Sequence, residues 1–248
     1  MEYNKIYLIL GASSDVGFEL VKQLIETERN SLFLCHYRTS GKEINAITPE
    51  NDNKIESIQA DLSNAEDVEK LIEKIQKECG CPSHIVHLPA GTFQYTRLKK
   101  FEWEQFQQEL EIQVHSLIKI LQTFLPQMMK RESIGKIVIM LTSYTLSNPP
   151  KFMMSYVMTK YTLLGLMKSL SSDYAGKNVC INAISPSMIE TKFLKNIDDR
   201  LIQLNAQNST LGKNASVKDI VPGIRFLLSK DSDFVHGINL NISNGNVI

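Results

Sequence analysis

Tyr156-Val-Met-Thr-Lys160 sets a phenol and an ammonium four residues apart, a spacing that puts both on one helical face. A cation beside a phenol favours the phenolate and brings the tyrosine pKa toward neutrality. A general acid/base for interconverting alcohols and ketones needs that. Ser143 lies thirteen residues before Tyr156, at the carboxyl end of an apolar run. There its hydroxyl could donate to a carbonyl oxygen as charge builds up during hydride transfer. A Tyr-x-x-x-Lys spacing alone is common on helices; in register with the serine and with a loop far upstream, it is specific.

That loop is Gly11-Ala-Ser-Ser-Asp-Val-Gly17, between an apolar run and a helical pattern. Glycines at Gly11 and Gly17 let the backbone approach a pyrophosphate. The helix start at Ser13, Ser14, Asp15 and Val16 offers free N–H groups and partial positive charge. The same pattern also suits an ordinary tight strand-to-helix turn. Asp15 stands where such loops often carry a glycine, and is expected to cap the helix and complement its dipole. The second apolar run ends Cys35-His-Tyr-Arg38, without the acidic residue that holds a free ribose 2′-OH. Arg38 can instead pair a 2′-phosphate, which favours NADP(H) and leaves NAD(H) possible; a solvated loop arginine is the plainer alternative. Asp61-Leu62 ends the third run, where the carboxylate either meets an adenine amino group or caps the helix starting near Asn64.

The elements that must position these residues alternate from end to end. Strands are predicted at Lys5–Leu10, Ser31–Tyr37, Lys54–Gln59, His84–Leu88, Lys136–Thr142, Val179–Ser185 and Ile238–Ile242. Helices are predicted at Val16–Glu28, Ala65–Glu78, Phe101–Arg131, Phe152–Tyr174 and Val217–Leu228, with a short one within 40–52. Near-continuous apolar strands such as Ile6–Leu10 imply burial on both faces. The chain therefore reads as one α/β domain over 1–248: a doubly wound parallel sheet of about seven strands with helices on both faces. In such a sheet the ligand sits at the carboxyl ends of the strands, where the order reverses. The least patterned stretch, 188–215, polar and Asn-rich from Lys192, suits a lid.

Composition narrows the classes. Twenty-seven basic and twenty-seven acidic residues cancel, so no basic footprint points to nucleic acid or an anionic membrane. No apolar run approaches the roughly 18 residues of a membrane span, and MEYNKIYLIL lacks the features of a leader, so the cytoplasm is expected. Cys79, Cys81, His84 and His87 resemble a compact metal site, but residues three apart on a strand face opposite ways, and no metal is expected. Cys35 and Cys180 sit in apolar runs as small core residues.

Taken together, these residues resemble the short-chain dehydrogenase/reductase family, and within it are similar to 3-oxoacyl-(acyl-carrier-protein) reductases. The resemblance places the glycine loop at Gly11–Gly17, the adenine-contacting acid at Asp61, and the catalytic Ser, Tyr and Lys at Ser143, Tyr156 and Lys160. It sets the turn after the fourth strand at Leu88-Pro-Ala90-Gly91, and the nicotinamide-side turn at Pro186-Ser187, followed by Ile189 and Thr191. Leu211-Gly-Lys213 and His236–Gly245 also match. The resemblance implies a Rossmann fold and an NADP(H)-dependent carbonyl reductase. In it Tyr156 protonates the oxygen, Lys160 lowers the tyrosine pKa and grips the nicotinamide ribose, and Ser143 orients the carbonyl of a small-molecule or acyl-thioester substrate. It also implies a homotetramer or homodimer built on Phe101–Arg131 and Phe152–Tyr174. Five residues depart from it: Gln113 replaces the fourth catalytic residue, an Asn; Leu88 and Pro89 replace two Asn; Ser187 and Asn244 replace glycines. Gln113, Leu88 and Pro89 motivate an alternative, a non-catalytic binding protein on the same fold; an NAD-dependent alcohol dehydrogenase is another. Met153, Met154 and Met158 flank Tyr156, and Phe193-Leu194 open the lid, as apolar wall or as packing.

Overall fold

The computed structural model describes residues 3–91 and 95–245. β1 (Lys5–Leu10), α1 (Asp15–Thr27), β2 (Ser31–Tyr37), the short α2 (Lys42–Asn45), β3 (Lys54–Gln59) and α3 (Ala65–Lys74) come first. β4 (His84–His87), α4 (Trp103–Leu110), α5 (Ser116–Met128), β5 (Gly135–Met140) and α6 (Met154–Asp173) follow. β6 (Val179–Pro186), α7 (Asp199–Asn208), α8 (Val217–Leu228) and β7 (Asn239–Ile242) close the order.

The seven strands are parallel, in the order β3-β2-β1-β4-β5-β6-β7, the doubly wound sheet read from the sequence. Alternate residues of each strand serve opposite faces. Leu8, Leu10, Ile85 and Ile137 pack with Leu71 of α3, Phe124 of α5 and Leu163 of α6. Tyr7, Ile9, Phe33 and Val86 pack with Leu20 and Leu24 of α1 and Ile224 of α8. Each fully buried aliphatic side chain contributes roughly 1.5–3 kcal/mol of transfer free energy, so both layers hold the sheet.

The strand order reverses at β1, which lies between β2 and β4 with Leu10 paired to His87. The carboxyl ends of β1 and β4 therefore lie side by side, and the loops leaving them diverge to form a crevice. Gly11 takes φ +79°, and a Cβ on it would lie 3.4 Å from Pro89 N; glycine admits both the turn and the neighbouring loop.

Three elements differ from the sequence expectation. The long helix expected over Phe101–Arg131 is two helices joined by a π-turn, Glu111–His115, in which the adjacent Gln113 and Val114 are both buried. A wide turn lets two successive side chains face inward. β5 stops at Met140, because Thr142 turns outward to cap the one-turn helix Ser143–Thr145. The lid region holds α7, capped by Asp198 through the Arg200 N–H. α7 buries none of its residues, so it leaves no apolar period to read. Among the described residues no helix is long and apolar enough to cross a membrane.

Candidate active site

The glycine loop is built as a helix start. Ser14 is the N-cap, and its Oγ accepts from Gly17 N–H at 3.1 Å. Asp15 is thus the first helical residue and not the cap. Its carboxylate favours the dipole, accepts from Lys192 N–H at 2.6 Å and lies 3.6 Å from Lys192 Nζ, tying the loop to the start of the lid. Beneath the loop, His36 Nδ1 accepts from Gly11 N–H at 3.1 Å while its Nε2 pairs with Ala60 O at 3.0 Å. These partners select the neutral Nε2–H tautomer, and burial lowers the His36 pKa. A lone His beside Arg38 gave no sequence sign of that support.

Arg38 and Asp61 follow the neighbouring strands β2 and β3, and the Arg38 charge acts on Asp61. The Asp61 carboxylate accepts from Ser63 N–H and Oγ at 2.9 and 2.7 Å, and these bonds, with Arg38 nearby, hold its pKa below the ordinary range. Asp61 is not the cap of α3; Asn64 is, accepting from Glu66 and Asp67 N–H. The Leu62 side chain is buried in the core.

A cavity of about 380 Å³ runs from the loop into the molecule. Ser13, Ser14, Asp15 and Val16 of the loop line it, with Ala90, Pro186, Ser187, Ile189 and Thr191. Tyr156 and Lys160 line the inner wall with Thr142 and Tyr144. Gly11, Gly17 and Gly91 stand behind this wall, with Gly17 packed so closely that a Cβ would lie 2.5 Å from Gly11 O. This glycine cradle at a helix start, opening into one continuous cavity, fits a nicotinamide dinucleotide.

Tyr156 hydrogen-bonds the Thr142 side chain, and burial pushes its phenol up to about 12 despite that bond. Lys160 is buried, donates from Nζ to Met140 O at 2.9 Å, and lies 5.9 Å from the Tyr156 ring centre. In this arrangement burial is the largest influence on the tyrosine, and it acts against the expected pull toward neutrality. The ammonium turns to the strand end, and desolvation dominates both groups, lowering Lys160 to about 8. Ser143, the residue expected to orient the carbonyl, is buried behind the cavity wall; Thr142, one residue earlier, faces the cavity.

A family model described as enoyl-(acyl carrier protein) reductase matches residues 11–246. The 3-oxoacyl-(acyl-carrier-protein) reductase FabG of Staphylococcus aureus is 24% identical over 248 residues, covering 99% of each chain. A short-chain dehydrogenase/reductase of Serratia marcescens, solved as a variant, superposes with a TM-score of 0.86 at 20% identity, covering 98% of each chain. One from Brucella melitensis gives 0.83 at 20% identity, covering 99% of this chain and 98% of that one. The chain belongs to the short-chain dehydrogenase/reductase family.

It is an oxidoreductase by that membership. Gln113 is buried in the π-turn, its Nε2 donating to Glu109 Oε2 at 2.6 Å, its Oε1 without a protein partner. His87 stands behind Lys160 with no hydrogen bond from either ring nitrogen; burial and the Lys160 charge lower it to about 3, although the Gln113 main-chain carbonyl faces it. His84 points to the other face, its ring tilted 38° to that of Tyr7 with centroids 4.5 Å apart. All four cysteines are free thiols, Cys35 and Cys180 buried as expected. Glu109, Tyr95, Tyr144 and Met188 belong to the site but gave no sequence signal, because their register depends on the π-turn and the loops.

Proposed function

We propose that this short-chain dehydrogenase/reductase interconverts a carbonyl and a secondary alcohol with NADP(H), in the reducing direction. The observation that carries the reading is the convergence of Tyr156, Lys160 and a strand-end hydroxyl on one cavity that is continuous with the glycine loop. Gly11 to Gly17 would hold the pyrophosphate; Asp61 and Leu62 would border the adenine, and Arg38 a 2′-phosphate. Ala90, Gly91, Pro186, Ser187, Ile189 and Thr191 would flank the nicotinamide, which supplies the hydride when bound. Tyr156 Oη holds the proton that the product hydroxyl receives, and Lys160 grips the ribose beside it. Thr142 or Ser143 orients the carbonyl oxygen, and the buried Gln113 keeps an amide behind Lys160.

The substrate end is apolar. Met153 packs against Leu194 and Ile197 of the lid, and Met188 and Phe193 line the cavity. That wall, with the name of the Staphylococcus aureus relative, supports a medium-length 3-oxoacyl thioester or a comparable ketone. Trp103, Phe152, Met158 and Tyr161 are exposed on or beside α4 and α6, as a homotetramer or homodimer built on that surface requires. The test is NADPH oxidation against ketones and 3-oxoacyl thioesters with wild type and Tyr156→Phe. The variant is expected to lose turnover while NADPH binding persists. Equal activity in the variant overturns the mechanism, and silence of wild type with proven NADPH binding favours a non-catalytic role.

A further inference from the structure

The structure assigns Glu109 as a positioning residue: we propose that its carboxylate braces the turn after β4 and supplies the negative charge that keeps Lys160 protonated beside Tyr156. The proposal rests on the oxidoreductase reading above. Leu88 and Pro89 occupy this turn with no side-chain amide, and Pro89 has no N–H. The brace comes instead from α4. Glu109 Oε2 accepts from Gly91 N–H at 3.1 Å and from Gln113 Nε2 at 2.6 Å, so one carboxylate links the turn to the π-turn. A Cβ on Gly91 would lie 1.6 Å from Glu109 Oε1; the carboxylate fills the space that any side chain at 91 would need.

The charge matters as well as the bonds. Among the described residues no cation lies within 4 Å of the Glu109 carboxylate, so its field reaches outward. It raises the pKa of Lys160 against desolvation and that of Tyr156 in addition to it. The other titratable groups facing the pair cannot supply this charge. His87, behind Lys160 on β4, is neutral above about pH 3. Tyr144 and Tyr95, across the cavity, are pushed upward by burial and stay neutral phenols. Glu109 is therefore the anion that opposes loss of the Lys160 proton.

Two measurements on the ligand-free protein test this without any substrate. Glu109→Gln keeps an oxygen for Gly91 and removes the charge; Glu109→Ala removes both. The Lys160 ammonium, followed by lysine side-chain 15N NMR, is expected to titrate about half a unit to one unit lower in either variant. Exchange of the Gly91 amide is expected to quicken about tenfold in Glu109→Ala and to stay within about twofold of wild type in Glu109→Gln. An unmoved Lys160 midpoint in Glu109→Gln overturns the electrostatic role. Unchanged Gly91 exchange in Glu109→Ala overturns the brace. Both results stand apart from the turnover assay, so failure of the carbonyl-reductase reading leaves them interpretable.

Discussion

Replacing Lys160 with methionine should stabilise the protein at neutral pH, and the gain should fade as the pH rises. Lys160 is 2% exposed, and burial brings its pKa from 10.5 to about 8. The folded pKa lies below the unfolded one, so the unfolded chain holds more protons between those values and stability climbs with pH across that window. Below pH 8 the cost is fully present, on the order of 3 kcal/mol for the drop from 10.5 to about 8. Methionine removes that cost and gives up the bond from Nζ to Met140 O, worth about 1 kcal/mol. The net expectation at pH 7 is a variant about 2 kcal/mol more stable and inactive. By pH 9 most of the folded-state lysine is already neutral, and linkage reduces the advantage by about 1 kcal/mol. Guanidinium chloride unfolding of both proteins at pH 7 and pH 9 reads the difference, since every other titrating group cancels. An advantage equal at the two pH values, or larger at pH 9, refutes the argument that Lys160 is buried as a cation.

Arg38→Ala should weaken NADPH binding by about tenfold or more and leave NADH binding unchanged, as one charge-assisted phosphate contact predicts; fluorescence titration reads both. Gly17→Ala places a Cβ 2.5 Å from Gly11 O and 2.7 Å from Ala12 Cα, so backbone must move. It should lower unfolding free energy by about 1–3 kcal/mol and abolish measurable cofactor binding, checked by denaturation and titration. Thr142→Val should reduce kcat by about a hundredfold and Ser143→Ala by less, because Thr142 is the hydroxyl on the cavity wall; the reverse order would return the carbonyl-orienting role to Ser143.

The strand register was legible because burial on both faces writes itself into a strand as an uninterrupted apolar run. Lys5–Leu10 and Ser31–Tyr37 are found where the sequence puts them, as is Lys54–Gln59, a half-exposed strand of mixed polar and apolar residues. Helices with a packed face were legible too, Val217–Leu228 to the residue. α7 was not, since it buries no residue fully and only Ile202 leans on the small cluster of Met153, Leu194 and Ile197. Asp15 illustrates the boundary at the site. Its place at the helix start is local information, but its partner Lys192 lies 177 residues away in the chain, and no spacing rule connects them.

The sequence by itself determined the alternation of strand and helix, the glycine loop, and the Tyr156–Lys160 pair, because each rests on local periodicity or on residues within one helical turn. Only the tertiary structure decided which strand-end hydroxyl faces the cavity, that Lys160 turns to Met140 O while burial lifts the Tyr156 pKa, and that Glu109 and Gln113 enter the site through a π-turn. Those outcomes depend on desolvation and on side-chain direction. Both are set by what packs against a residue from elsewhere in the chain, and the sequence order of that residue's neighbours does not carry them.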